Sequence, residues 1–99
     1  MMMCGGVGDA KPADNKIQNM CKDLKEHAES KTGTNFAEFT AKSFRSQVVA
    51  GTNYFVKVHV GGDQYAHLRI HEALPCNGGG VKLSDAQHPK KEEDAIEFF

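Results

Sequence analysis

The sequence has no tryptophan, only three prolines and no surplus of either charge: 12 basic residues stand against 13 acidic ones, mixed along the chain. A nucleic-acid stripe or a polybasic membrane patch needs a basic excess, so neither partner is expected. No apolar run approaches membrane-spanning length. The start, Met1-Met2-Met3-Cys4-Gly5-Gly6, carries neither a basic segment nor a long apolar one, so no secretory signal is expected. No Asn-x-Ser/Thr sequon occurs. Cysteine is scarce as well. Cys4, Cys21 and Cys76 are odd in number and widely spaced, which suits a reducing compartment better than a disulfide framework. The expected location is the cytoplasm, with the nucleus also open to such a chain.

What is present is one domain's worth of residues. A chain of 99 residues can bury a real core but has little to spare for the walls of a catalytic pocket. Residues 1–99 are expected to form a single domain, and size favours a binding module over an enzyme. Residues 1–13 are rich in glycine and small side chains and read as a mobile tail. Ile17, Met20, Cys21, Leu24 and Ala28 then recur at helical spacing and make one apolar stripe. With Asp14 as N-cap and Gly33 as the C-terminal stop, one amphipathic helix is predicted over residues 14–31.

From Phe36 onward the period becomes that of strands. Phe36, Phe39, Phe44, Val48 and Val49 mark the first, and their slipping alternation asks for a bulge near residues 41–43. In Val56, Val58, Val60 and then Ala66, Leu68, Ile70 the even positions are apolar. The odd positions Lys57, His59, His67, Arg69 and His71 are polar. Gly61-Gly62-Asp63 between them reads as a hairpin turn with one face buried and one wet. Residues 75–80 form another turn around Asn77-Gly78, and Val81-Lys82-Leu83 starts a further strand. Residues 88–94 read as a charged connection, and Ile96 and Phe98 as a short closing edge strand. The expected class is α+β: one long helix packed across a four- to five-stranded antiparallel sheet.

One segment is out of place for a scaffold. Gln47-Val48-Val49-Ala50-Gly51 lies where a hairpin tip should be polar, yet it is apolar and ends in glycine. It either continues a buried strand or forms an exposed apolar tip, and exposed apolar tips are usually interaction sites. Leu74-Pro75 and the apolar tail Met2-Met3-Cys4-Gly5 share this character. In a meander that starts with a helix, all three can fall at one end of the sheet and make a wedge that binds something concave.

The same residues carry a resemblance. Residues 47–51 are identical to the central Gln-Val-Val-Ala-Gly hairpin of the cystatins. Ser43-Phe44-Arg45-Ser46, the run from Thr52 through Tyr54, Phe55 and His59 to Gly61, His67-Leu68-Arg69 and Phe98-Phe99 resemble the type 1 cystatins, or stefins, of the B type. Met3-Cys4-Gly5 looks like the stefin start with an extra methionine ahead of it. The resemblance spans the whole chain.

It implies a reversible, tight-binding, non-covalent inhibitor of papain-like cysteine proteases, among them cathepsins L, S, H and B and papain, and no enzyme. The implied protease-binding residues are Met3, Cys4 and Gly5 of the trunk, Gln47, Val48, Val49, Ala50 and Gly51 of the first loop, and Leu74, Pro75 and Cys76 of the second. No cofactor or metal is implied. At residue 76 the family commonly has histidine, and the following Asn77-Gly78-Gly79-Gly80 is unusually rich in glycine. A looser second loop loses more entropy on binding and so contributes less. Val49→Asp or Gly51→Trp is expected to weaken inhibition by orders of magnitude and leave the fold intact.

Other readings use the same residues differently. His59 and His67, expected to face each other across the hairpin with His71 nearby, are a metal-binding candidate. The plainer reading is a polar outer face, since no cysteine or carboxylate stands at ligand spacing beside them. A cysteine nucleophile at Cys76 or Cys4 would sit in mobile glycine-rich chain, which is poor ground for a preorganised site. Self-association is the third alternative. If the first hairpin straightened, the helix and first strand could swap between two chains, and an exposed Cys4 could link two chains. The active form is expected to be the monomer.

Overall fold

The structure is a computed structural model and describes residues 8–99. The helix begins as its sequence dictates. The Asp14 carboxylate accepts a hydrogen bond from the Ile17 N–H at 2.9 Å and caps α1 (Asn15–Asp23). A second helical piece, α2 (Lys25–Thr32), ends at Gly33, whose φ of 70° is the left-handed stop expected there. The single long helix of the sequence reading is thus broken at Leu24, whose N–H is shared between the Met20 and Cys21 carbonyls at 3.1 Å. The break lets the helical layer follow the twist of the sheet: α1 lies against β2 (Thr40–Val49), and α2 against β5 (Val81–Lys90).

The sheet is an antiparallel meander in the order β1-β2-β3-β4-β5, with β1 at Lys11–Pro12, β3 at Gly51–Gly61 and β4 at Gln64–Glu72. The bulge in β2 falls between Ala41 and Ser43, as the broken alternation asked. Gln18 holds the helix to this spot. Its side-chain amide donates to the Phe39 carbonyl at 3.2 Å, and its oxygen accepts from the Ala41 N–H at 2.7 Å. The stripe Ile17, Met20, Cys21, Leu24 and Ala28 packs on Val56, Val58, Val60, Ala66, Leu68 and Ile70 to form the core. Among the described residues no helix is long and apolar enough to cross a membrane.

Three expectations about the strands fail for one reason, the packing of the chain's ends. Residues 8–13, read as tail, lie along β2: Gly8 N–H donates to the Ser46 carbonyl at 2.8 Å, and Lys11 and Pro12 pair with Phe44 and Ser43. The fifth strand therefore comes from the N-terminal side. Residues 88–90, read as connection, are the end of β5. Ile96 and Phe98 do not form an edge strand. Instead the last residues cross the outer face of the sheet, where Phe98 and Phe99 lie 5.5 and 5.8 Å from the fully buried Phe55 ring. Arg45 donates to the Ile96 carbonyl at 2.6 Å, and Arg69 donates to Phe99. Phe55 is an apolar residue at an odd position, and this cover accounts for its burial.

The histidines also differ from the sequence reading. The cross-strand partner of His59 is Tyr65, and that of His67 is Lys57, so the two rings do not face each other. Among the described residues no group of three metal-ligating side chains exists. His67 is buried rather than wet, with its Nε2 unpaired. Burial, reinforced by the Lys57 and Lys90 charges and opposed by Asp94, lowers its pKa from 6.5 to about 4. The unfolded chain therefore takes up this proton near pH 6.5, while the folded chain resists it until about pH 4. Stability linked to neutral His67 is present above pH 6.5 and lost between 6.5 and 4, by about 3 kcal/mol.

His59 works in the opposite direction. Its ring nitrogens face the Gly62 carbonyl and the Glu38 carboxylate at 2.8 and 2.7 Å, which raises its pKa. Its contribution is present below 6.5 and fades as pH rises through the raised value. Urea unfolding of wild type and His67→Gln at pH 7 and pH 4.5 separates the two. The wild-type loss on acidification should shrink in the variant, and an equal loss in both would remove His67 as its source.

Candidate functional site

The apolar tip is exposed. Val48 and Val49 keep 73% and 40% of their surface in solvent at the end of the β2–β3 hairpin, so the buried-strand alternative for this segment falls away. Ala50 is exposed too, whereas Gln47 is buried, its Oε1 accepting from the Asn53 side-chain amide at 3.1 Å. Gly51 closes the hairpin with a φ of 105° and is itself buried. A Cβ there would stand 2.3 Å from the Glu72 carbonyl oxygen. A Gly51 substitution thus strikes the β3–β4 junction as well as the loop, which overturns the expectation that Gly51→Trp leaves the fold intact.

The same close approach carries the second loop to the first. Thr52 pairs with Glu72, and two residues later Leu74 emerges, 40% exposed. On the helix side the junction is tied by Lys16, whose ammonium donates to the Tyr54 hydroxyl at 3.2 Å and to Glu72 at 3.1 Å. Those two hydrogen bonds, the Tyr54 one foremost, raise the pKa of this exposed lysine. The second loop is better ordered than its glycines suggested. Leu74 is extended before Pro75, as a pre-proline residue should be, and residues Pro75–Asn77 form one 3₁₀ turn. The loop closes on its own backbone, with Ala73 N–H to Gly80 at 2.9 Å, Gly79 N–H to Leu74 at 3.0 Å and Gly78 N–H to Pro75 at 3.1 Å. Gly78 and Gly79 take positive φ, so these bonds need glycine there.

Pro75 and Cys76 are exposed beside Leu74. Val81, which pairs with Glu72 at the start of β5, adds an exposed apolar residue that its strand pattern did not single out. Met3, Cys4 and Gly5 lie outside the described residues. From Pro12 to Gly8, however, the described chain advances along β2 from Ser43 to Ser46, toward Gln47. The arrangement brings residues 47–51 and 74–76 to one end of the sheet.

Cys21 is buried among apolar side chains, and burial pushes its thiol up to about 12. Alkylation of the native protein is expected to modify Cys76 and to spare Cys21 until the chain unfolds. Peptide mass mapping reads this directly, and native labelling of Cys21 would contradict the core packing. A groove of about 610 Å³ lies at the opposite end of the β3–β4 hairpin and is lined by residues such as Asp63, Tyr65, Lys91 and Glu92, with no cysteine or histidine.

A family model for the cystatin domain matches residues 5–93. The chain is 52% identical over 98 residues to cystatin-B of Oplegnathus fasciatus, covering 99% of this chain and 98% of that protein. It is 41% identical to cystatin-B of Homo sapiens, covering 99% and 100% of the two chains. It is also 41% identical to leukocyte cysteine proteinase inhibitor 1 of Sus scrofa, covering 99% and 95%. With the exposed hairpin tip, the meander and the helix across it, these matches place the chain in the cystatin family, in its stefin branch.

Proposed function

We propose that this chain inhibits papain-like cysteine proteases by lodging the apolar end of its sheet in the active-site cleft. The chain is an inhibitor and not an enzyme. The observation that carries the proposed mode is the pairing of an exposed Val48-Val49-Ala50 tip with an exposed Leu74 across the Gly51–Glu72 contact. Surface of this kind gains roughly 25 cal/mol per Å² when a cleft covers it, before the costs of association. A tip that presents side chains and no scissile bond in a cleavable pose gives reversible, non-covalent inhibition. Pro75, Cys76 and the ordered turn they begin extend the contact. The trunk at Met3, Cys4 and Gly5 occupies the non-primed side, a placement supported by the course of residues 8–12 toward the tip.

Cathepsins L, S, H and B and papain are the proposed targets, and the active form is the monomer. Clefts that are partly occluded bind less tightly, since the tip must displace the occluding segment. The test is a titration of the reduced monomer against papain with a fluorogenic peptide substrate. Stoichiometric inhibition, reversed on dilution and without cleavage of the chain, is the expected result. A folded monomer that leaves papain active would refute it.

A further inference from the structure

Below the tip, three polar side chains from three strands stand in one row. Gln47 on β2 is in register with Asn53 on β3, and Asn53 with His71 on β4. The His71 Nδ1–H donates to Asn53 Oδ1 at 2.8 Å, and Asn53 Nδ2 donates to Gln47 Oε1 at 3.1 Å. The row has one direction, because a carboxamide donates at one end and accepts at the other. The ring of His71 also forms a floor under the loop. Its Cε1 and Nε2 edge would lie 3.2 Å from a Cβ built on Gly51, so the ring lies close against that residue's backbone. The row sits one residue pair below Val48–Thr52 and two below Val49–Gly51.

We infer that His71 is a positioning residue for the first loop: through Asn53 and Gln47 it holds the Val48–Ala50 tip in its binding shape before a protease arrives. This deepens the wedge mode proposed above and rests on it. The tip itself is exposed on Val48, Val49 and Ala50, and above the row only the Val48–Thr52 and Val49–Gly51 pairs order it. A tip left to be ordered at the moment of binding binds less tightly, because part of the interaction is offset by the lost freedom. The ring and the hydrogen bond make separate contributions, and two substitutions divide them. His71→Phe keeps a ring beneath Gly51 and removes the donor. His71→Asn keeps a donor near the Nδ1 position and removes the ring.

The experiment has two readouts. In the free protein, amide exchange of residues 48–52 is expected to rise about tenfold in His71→Phe and to change less in His71→Asn. Against papain, the inhibition constant of His71→Phe is expected to rise about fivefold to tenfold at an unchanged melting temperature. Asn53→Ala, which removes the bond to Gln47 as well as the one to His71, should raise exchange at least as much as His71→Phe. Unchanged exchange in a folded His71→Phe, or equal changes in the two variants, would overturn the positioning role and leave His71 as filler. The exchange readout uses no protease, so it stands even if Val49→Asp shows that the tip does not enter the cleft. In that case faster exchange with unchanged inhibition would refute the wedge mode and not the row.

Discussion

Val49→Asp is expected to raise the inhibition constant against papain by about a thousandfold while leaving the melting temperature within a few degrees of wild type. The stability half follows from exposure. Val49 is 40% exposed at a hairpin tip, pairs only with Gly51 and is no part of the core. A surface substitution away from the core usually moves stability by less than about 0.5 kcal/mol. The affinity half combines two losses. The apolar contact of one valine disappears, worth about 1.5 kcal/mol or more. A carboxylate must also shed water to enter an apolar cleft without a partner, which costs about 2–3 kcal/mol further. Together they give about 4 kcal/mol, or roughly three decades. Titration of papain with the folded variant checks this, and wild-type inhibition by that variant would take the first loop out of the contact.

Gly51→Ala should fail in a different way, losing both stability and inhibition. A φ of 105° is a conformation that side chains with a Cβ rarely adopt. Here the Cβ would also meet the Glu72 carbonyl oxygen at 2.3 Å, and that oxygen belongs to the backbone of the neighbouring strand. Relief needs β3 and β4 to part where Thr52 pairs with Glu72, which is where the two loops are joined. Backbone strain and clash together are expected to cost about 2–4 kcal/mol of unfolding free energy. For a domain of this size that is a large share of the total. Urea unfolding should show a lower midpoint, and papain titration a weaker inhibitor even at temperatures where the variant is folded. A variant with wild-type stability would mean that the strands are free to separate at this point. The contrast between the two substitutions is diagnostic. Val49→Asp reports contact with the protease alone, whereas Gly51→Ala reports the junction that holds two loops at one end.

Much of this architecture was legible from local pattern. The capping aspartate, the glycine stop, the stripe from Ile17 to Ala28 and the even-position apolar residues of the central hairpin each depend on neighbours within a few positions. The bulge was legible because a slipped alternation has only one local remedy. The apolar tip at residues 47–51 was conspicuous in the sequence, and its identity with the family hairpin supplied a target class that no composition or period contains.

What only the tertiary structure decided involves contacts between residues far apart in the chain. Burial of Phe55 depends on Phe98 and Phe99 crossing the outer face, and nothing near Phe55 in the sequence announces that cover. The pairing of residues 8–12 with β2 uses backbone groups, which every sequence has. The helix break at Leu24 divides a helix whose two parts meet different strands, α1 on β2 and α2 on β5, formed later in the chain. The reach of Gly51 to Glu72, and of His71 to Asn53 and Gln47, depends on register across three strands. Local sequence sets which residues can form a helix, a strand or a turn, because those preferences act over a few bonds. Register and coverage are set by where buried surface is greatest once the elements meet, and that is a property of the whole chain.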